Sequence, residues 1–159
     1  MKLDNYDLKL IELLQENAKL TVSELAEACG LSRTPVYERM KKLEANGVIK
    51  SYNARIDPQT SGLQLHAFCN VSLKEHAHDF LRNFEDEIKE FPQVVAAYHT
   101  AGMFDYMIEV RCRNMEAYHD FIASKLAGLG NIGNVQSFFI MKEIKSPGPL
   151  DLTSLRTKL

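Results

Sequence analysis

The sequence predicts an α+β fold in which three helices come first and a βαββαβ segment follows. Apolar residues recur every three or four positions as far as residue 46, which is the period of amphipathic helices. After residue 62, several segments alternate apolar and polar residues, as strands with one buried face do. Glycine, proline and asparagine separate these segments, so the chain is divided into short, well-defined elements.

Length and composition restrict the possible classes of protein. A chain of 159 residues, 45% hydrophobic and 25% charged, suits one globular domain or two small ones. No apolar run reaches the roughly 20 residues that cross a bilayer, and the first residues lack the apolar segment of a signal peptide. The cysteines Cys29, Cys69 and Cys112 lie far apart among apolar neighbours. We therefore expect buried free thiols and a cytoplasmic protein without a membrane partner.

Capping residues place the first two helices. The first helix is expected from about Asn5 to Asn17, with the Asp4 carboxylate accepting hydrogen bonds at its start. The second is expected at Val22–Cys29, after a capping box formed by residues 21–24. Gly30 follows at the position where a helix end favours a positive φ.

The third helix begins after Ser32, whose hydroxyl is expected to cap it, and ends at Gly47. Pro35 lies in its first turn, where a missing N–H breaks no hydrogen bond. Three apolar residues at helical spacing are expected to face inward: Val36, Met40 and Leu43. Residues 48–56 then alternate in polarity, which predicts a short strand or wing that ends at Asp57-Pro58.

The second half predicts four strands and two helices. Their expected bounds are 65–73, 75–91, 94–100, 105–112, 114–129 and 135–144, in the order strand, helix, strand, strand, helix, strand. This order is that of the ferredoxin-like split βαβ unit. We therefore predict a first domain at 1–62, a second at 63–146, and an extended C-terminal arm at 147–159.

Positive charge is concentrated near the third helix. Between Arg33 and Arg55 there are six basic and two acidic residues, a local charge of +4 in a chain whose formal net charge is −2. A local basic patch on an otherwise acidic chain indicates one surface that faces a polyanion.

The second and third helices and their Gly-containing turn indicate a helix-turn-helix, which would place the third helix in the major groove. Near its start, Arg33 is suited to bidentate bonds with a base, whereas lysines further along suit phosphates. The candidate DNA-binding residues are Ser32, Arg33, Thr34, Tyr37, Glu38, Arg39, Lys41, Lys42, Lys50 and Arg55. The alternative is a three-helix module whose charged face is only solvated.

Several motifs resemble those of the Lrp/AsnC (leucine-responsive, feast/famine) transcription factors. They are LDNYDLKLI near the start, then SELA, GLS, GVI and DPQTSG, and the spacing of Arg39 and Leu43. In the second half they are the GxxDY of residues 102–106 and the segment SFFIMKEIK. The resemblance covers nearly the whole chain. It implies a winged helix-turn-helix followed by a ferredoxin-like (ACT-like) ligand-sensing domain.

The resemblance also implies partners and a second site. Such proteins bind double-stranded DNA, dimerise by packing their sheets together, and often assemble into octamers. Amino acid effectors bind between sensing domains near the GxxDY loop. By matching position, Gly102 would permit close backbone approach, Asp105 would bind the effector's ammonium group, Tyr106 would shape the pocket, and Ser137 would line it. Alternatively, Gly102 only allows a turn and Asp105 only satisfies backbone donors.

Other chemistry has weaker support. An enzyme, or an oligomeric small-molecule-binding protein without DNA affinity, is the alternative class, but His99 and His119 suit structural histidines and no catalytic motif is present. GLGNIG at 128–133 spells GxGxxG, but it follows a helix, which is the wrong context for a dinucleotide site. His76 and His78 are two apart on a predicted helix and point in different directions. The sequence therefore predicts no cofactor, no metal and no catalytic residue.

Overall fold

The structure is a computed structural model that describes residues 2–156, so the last three residues of the predicted arm lie outside the described residues. The chain divides into two compact units. The first comprises the residues up to Arg55 together with those from Lys145 onward, and the second is Ile56–Ile144. The division falls earlier than the expected position between residues 62 and 63. The arm groups with the helical unit instead of standing apart.

The first unit contains three helices. These are α1 (Asn5–Glu16), α2 (Val22–Cys29) and α3 (Arg33–Ala45). The predicted cap of α1 is confirmed, because the Asp4 carboxylate accepts the N–H groups of Tyr6 and Asp7, each at 2.9 Å. The capping box of α2 is also confirmed: the Thr21 N–H donates to Glu24 Oε2 at 2.7 Å, and the Glu24 N–H donates to Thr21 Oγ1 at 3.3 Å.

The turn between α2 and α3 has the predicted glycine but lacks the predicted capping hydrogen bond. Gly30 has φ +67°, and its N–H donates to the Glu27 carbonyl at 3.1 Å. Ser32 occupies the N-cap position of α3, but its side chain makes no capping hydrogen bond, so that prediction is wrong. The third residue of a helix supplies the usual donor to the cap. In α3 that residue is Pro35, which has no N–H.

The interior of the first unit comes from all three helices. Its buried members are Leu10, Leu14, Leu25, Ala26, Cys29, Val36 and Leu43. Met40 packs against them while partly exposed, so the predicted inward face of α3 is confirmed. This packing fixes which side of α3 faces outward.

The segment that follows α3 lacks the predicted strand. Residues 48–56 form no strand in the part of the chain that the structure describes. The Ile49 N–H still donates to the Leu43 carbonyl at 3.2 Å, which closes the end of α3. Further on, the Tyr52 hydroxyl donates to Glu44 Oε1 at 2.9 Å. Polarity alternates here, but a strand also needs a partner strand for its backbone groups.

The arm packs on α1. The Leu150 N–H donates to Gln15 Oε1 at 2.7 Å, and Gln15 Nε2 donates to the Leu150 carbonyl at 3.2 Å. Further along, the Arg156 guanidinium pairs with Glu12, next to a short 3₁₀ turn at Thr153–Leu155. The Gln15 carboxamide therefore forms hydrogen bonds with both the N–H and the carbonyl of Leu150.

The second unit has the predicted βαββαβ order. Its elements are β1 (Leu65–Leu73), α4 (His78–Lys89), β2 (Val94–His99), β3 (Tyr106–Cys112), α5 (Met115–Asp120), a π-helical continuation at Phe121–Leu126, and β4 (Ile132–Phe139). The strands form one antiparallel sheet in the order β2-β3-β1-β4. This confirms the predicted ferredoxin-like arrangement.

Several bounds differ from the predictions. α4 begins at His78 instead of Glu75, because hydrogen bonds to Asn131 hold the residues before it in a loop. β4 begins earlier than residue 135 and ends at Phe139; beyond it, Met141 is 97% exposed. Residues 140–144, the last part of the predicted strand, therefore lie outside β4, and the apolar Met141 and Ile144 are exposed.

The sheet has one buried and one open face. Along β1 and β3, alternate residues are fully buried against the helices, and the residues between them remain partly exposed. Cys69 and Cys112 belong to the buried set, and all three cysteines are buried free thiols, as predicted. Burial raises the pKa of each thiol. On the open face, Tyr98 is 52% and Phe138 46% exposed.

Candidate nucleic-acid interface and effector loop

The outward side of α3 is defined by its buried side. Val36 and Leu43 are both fully buried, which turns the polar residues of the helix outward. The predicted DNA-binding residues that are exposed are Ser32, Arg33, Thr34, Tyr37, Glu38, Lys41, Lys42, Lys50 and Arg55. Most of them share one helix, so the cationic surface is formed by a single rigid element.

The start of α3 presents a guanidinium at the surface. Arg33 is the first residue of the helix, and its Nη2 donates to Ser23 Oγ on α2 at 2.9 Å. A neutral hydroxyl leaves the charge of Arg33 uncompensated. Further along the helix, the Lys41 ammonium lies 4.9 Å from the centroid of the Tyr37 ring, which is one turn before it. This contact orients Lys41, and its pKa is raised by interaction with the Tyr37 hydroxyl.

Arg39 differs from the other basic residues. Its Nη1 lies 2.7 Å from Asp4 Oδ2 and 2.6 Å from Asp7 Oδ1, and its guanidinium also lies over the Tyr6 ring. Asp7 is only 4% exposed, so the pair is partly shielded from water. The structure thus assigns Arg39 to holding α1 against α3. This differs from the expected contact with a DNA phosphate.

The loop at residues 100–105, which carries most of the GxxDY motif and is the candidate effector loop, joins β2 to β3. Gly102 has φ +155°, a conformation that side chains rarely adopt, but a Cβ built there meets no described atom within 4 Å. Asp105 closes the loop, because the Thr100 N–H donates to its carbonyl at 2.8 Å. Its carboxylate has two contacts: Oδ2 accepts the Leu73 N–H at 2.7 Å, and Oδ1 lies 3.0 Å from His76 Nε2.

Tyr106 points into the unit instead of outward. It is 2% exposed, its hydroxyl donates to Glu85 Oε1 at 3.0 Å, and its ring lies 4.7 Å from that of His99. Burial and the Glu85 carboxylate raise the pKa of Tyr106 to about 12. A cavity of about 370 Å³ opens here, lined by Glu85, Ile88, Lys89, Ala97, His99 and Tyr106. His99 borders this cavity and is half exposed, and its Nδ1 lies 3.8 Å from Glu85 Oε1.

Ser137 lies apart from the loop. It is paired across the sheet with Cys69 of β1, and β1 separates β4 from β3. Its hydroxyl accepts a hydrogen bond from Tyr118, whose oxygen is also 3.1 Å from Cys69 Sγ. Within one chain, therefore, Gly102, Asp105 and Tyr106 come together and Ser137 does not join them.

Two residues near the loop were missed by the sequence analysis. His76 contacts Asp105 from 29 positions earlier in the chain, and Glu85 contacts Tyr106 from 21 positions earlier. Neither pair has a motif or a fixed spacing, so only the folded sheet brings them together. His78, by contrast, has its Nδ1 3.6 Å from Oδ1 of its neighbour Asp79.

Across residues 2–156, no three histidine, cysteine or acidic side chains are grouped so that they could hold a metal ion. Over the same residues, no helix is both long enough and apolar enough to cross a membrane.

Comparison with known families and proteins gives consistent matches over both units. Residues 3–50 match the profile of winged helix-turn-helix DNA-binding domains, and residues 66–150 match that of the Lrp/AsnC ligand binding domain. The glutamate uptake regulatory protein of Zymomonas mobilis is 36% identical, over 99% of this chain and 95% of that protein. The DNA-binding transcriptional activator DecR of Escherichia coli is 34% identical, over 90% of this chain and 94% of that protein.

A solved structure is similar over the whole length. It is that of a transcriptional regulator from Neisseria meningitidis in complex with L-Met. The two chains share 34% identity with a TM-score of 0.90, over 96% of this chain and 99% of the other.

Proposed function

This chain belongs to the Lrp/AsnC family of transcriptional regulators, and we propose that it binds its operator through α3 and responds to an amino acid at the loop of residues 102–106. It is a DNA-binding regulator modulated by a small effector, and it is not an enzyme. The observation that carries the DNA-binding proposal is the orientation of α3. Its apolar residues are buried and its uncompensated basic residues are exposed on the opposite side.

The two ends of α3 have different roles in this proposal. Arg33 and Thr34, at the helix start, contact base edges, where a guanidinium can bond to guanine in two places. Lys42, Lys50 and Arg55 contact phosphates, and these contacts add affinity without sequence preference. Arg39 is left out, because its charge is already paired with two carboxylates.

We propose a dimer formed by the open faces of two sheets, with higher assembly to an octamer. The half-exposed Tyr98 and Phe138 on this face support the dimer, because burial of such rings favours association. A two-fold dimer presents two copies of α3. It therefore fits a pseudo-palindromic operator with half-sites about one helical turn, or a multiple of it, apart.

We propose an amino acid as the effector, with Asp105 as the partner of its ammonium group. The carboxylate is fixed by the Leu73 N–H and remains partly exposed, with 23% of its side chain accessible. L-methionine is the first candidate, because the similar Neisseria regulator was solved with L-Met. Tyr106 would act from beneath the loop, through its packing. Ser137 would contribute only if a second chain brought it close.

DNA binding is tested by titrating genomic operator fragments with the full-length protein across a salt series. A regulator of this kind gives a steep fall in affinity with salt, with a slope of about −0.9 per phosphate contacted, and retains preference for one fragment. A protein with no salt dependence and no preferred fragment would contradict the proposal.

The effector site is tested with Asp105→Ala. This variant should bind operator as the wild type does in the absence of effector, but should lose the response of DNA affinity to L-methionine or to whichever of the twenty amino acids acts. Calorimetry is the direct measurement. Equal effector affinity in both proteins would remove Asp105 from the site.

A further inference from the structure

The connection between β1 and α4, residues 74–77, is held on one side by Asn131. The Lys74 N–H donates to the Asn131 carbonyl and the Glu75 N–H donates to Asn131 Oδ1, both at 2.9 Å. In return, Asn131 Nδ2 donates to the Glu75 carbonyl at 2.8 Å. Three hydrogen bonds thus fix the first half of the connection independently of the effector loop.

Asp105 holds the other side of the connection through two unequal contacts. Oδ2 accepts the Leu73 N–H at 2.7 Å, at the end of a strand whose residue Leu73 is only 5% exposed. Oδ1 lies 3.0 Å from Nε2 of His76, whose side chain is 59% exposed. The first contact is part of the sheet and sets the direction of the carboxylate. The second is made by a side chain that water can reach.

An imidazole N–H and an alkylammonium group can both bind the same carboxylate oxygen. Both donate hydrogen bonds to a carboxylate oxygen at about 3 Å, and both bring positive charge when protonated. Two such donors compete for the accessible side of Asp105 Oδ1, since Oδ2 is already engaged by the backbone. An ammonium group that binds Oδ1 from solvent must therefore displace the His76 ring or share the oxygen with it.

We propose that His76 occupies the Asp105 oxygen to which the ammonium group of the effector binds, so that His76 competes with the effector and sets the concentration at which the regulator responds. This inference rests on the proposed role of Asp105. It has a structural consequence: effector binding releases His76 from Asp105, whereas the hydrogen bonds of Asn131 to residues 74 and 75 remain.

The test compares full-length wild type with His76→Ala and a matched control, His78→Ala, by calorimetric titration with L-methionine and, if it does not bind, with the other nineteen amino acids. His78 is a second exposed histidine two residues away, and its Nδ1 lies 3.6 Å from Asp79 Oδ1 instead of near Asp105. Removing the competitor should tighten effector binding about three- to fivefold in His76→Ala, the upper end of what an exposed contact to a carboxylate contributes. His78→Ala should stay within about twofold of wild type.

A second measurement follows the histidine itself. The ring resonances of His76 in the wild-type protein should shift when effector is added, and those of His78 should not. Unchanged His76 resonances at saturating effector would overturn the inference, even if His76→Ala proved too unstable to titrate.

The outcomes separate this inference from the proposed function. If Asp105→Ala loses effector binding while His76→Ala binds no tighter than wild type, the competition is refuted and the role of Asp105 stands. If Asp105→Ala binds the effector normally, or if wild type binds none of the twenty amino acids, the proposed effector site is refuted and this inference is refuted with it.

Discussion

Arg39 shows how the partners of a basic residue can differ from what its neighbours in sequence indicate. It lies among Lys41, Lys42 and Arg33, yet its guanidinium is paired with Asp4 and Asp7 at the start of α1. The carboxylates come from more than 30 positions earlier, so charge counting along the helix could not reveal the pair. At this scale the sequence predicts which residues are basic, but the fold decides which charges remain free for DNA.

Replacing Arg33 with Ala tests the free charge. The variant should lose about 1–3 kcal/mol of specific operator binding and discriminate less at one base, because its bidentate contact is gone. Lys42→Ala is the control, since loss of a phosphate contact should weaken all sequences evenly and lower the salt slope by about one unit. An unchanged footprint for Arg33→Ala would refute its role in base recognition.

Replacing Arg39 with Ala tests the paired charge. Asp7 is almost fully buried and would keep only the Asp4 N–H, so the free energy of unfolding should fall by about 2 kcal/mol. Arg33→Ala, at the surface, should stay within about 0.5 kcal/mol of wild type. Urea denaturation of the three proteins measures both changes. Equal stabilities would show that the ion pair contributes nothing.

The ionisation of the Asp4 carboxyl makes the free energy of unfolding depend on pH in the acidic range. Burial raises the pKa of its carboxyl, but the hydrogen bonds from Asp7, Arg39 and Tyr6 outweigh burial and hold that pKa below its ordinary value of 3.8. Above that value the group is ionised in both states and its stabilisation is complete. As pH falls below about 4, the unfolded carboxyl takes up a proton first and the stabilisation is lost.

Asp4→Asn keeps the cap and removes the titration. The difference in unfolding free energy between wild type and Asp4→Asn should therefore be constant from pH 5 to 8 and shrink below about pH 4. Because Asp4 is half exposed, the change should be below about 1 kcal/mol. A difference that grows as the pH falls would contradict this assignment.

At the scale of elements, local signals predict helices well and strand pairing poorly. The bounds of α2 and β1 are those expected, because a capping box, a terminal glycine and regular alternation act within a few residues. The strand predicted at 48–56 does not form, because alternation does not supply a partner strand. The start of α4 could not be predicted, because its loop is fixed by Asn131, more than 50 residues away.

Gly30→Ala tests the turn between α2 and α3. Gly30 has φ +67° and a Cβ there would meet no atom within 4 Å, so the cost is conformational and should be about 1–2 kcal/mol. Gly130→Ala is the control, since Gly130 has an ordinary φ and the same open space. It should be neutral or slightly stabilising. Thermal melts followed by circular dichroism compare the two, and equal melting points would rule out backbone strain at Gly30.

At the scale of the molecule, each half of the chain carries one task. The first unit presents the basic surface of α3, and the second presents a loop whose carboxylate is fixed by the sheet. The order of elements made both units predictable. The fold groups only part of the proposed effector residues: Asp105 and Tyr106 are adjacent in the sequence, whereas Ser137 is separated from them by β1.

The arm should stabilise the first unit. Removing residues from Pro147 onward, or replacing Gln15 with Ala, deletes the two bonds to Leu150 and should lower the protection of α1 amides by about 1 kcal/mol. Hydrogen exchange should show no change in the strands of the second unit. Lys9→Ala, on an exposed position of α1, serves as the control. Uniform loss of protection in both units would contradict a local role.

Because the chain returns to the first unit at Lys145, the fragments made by limited proteolysis should stay associated. In topological terms, residues 56–144 are an insertion within the helical unit, entered after Arg55 and left before Lys145. A protease that cuts only the exposed segment at 50–56 would leave the amino-terminal fragment bound to the rest of the chain. In that fragment, Gln15 still forms a hydrogen bond with Leu150, and Glu12 still pairs with Arg156. The two fragments should co-elute on a sizing column until a second cut near residue 144 separates them.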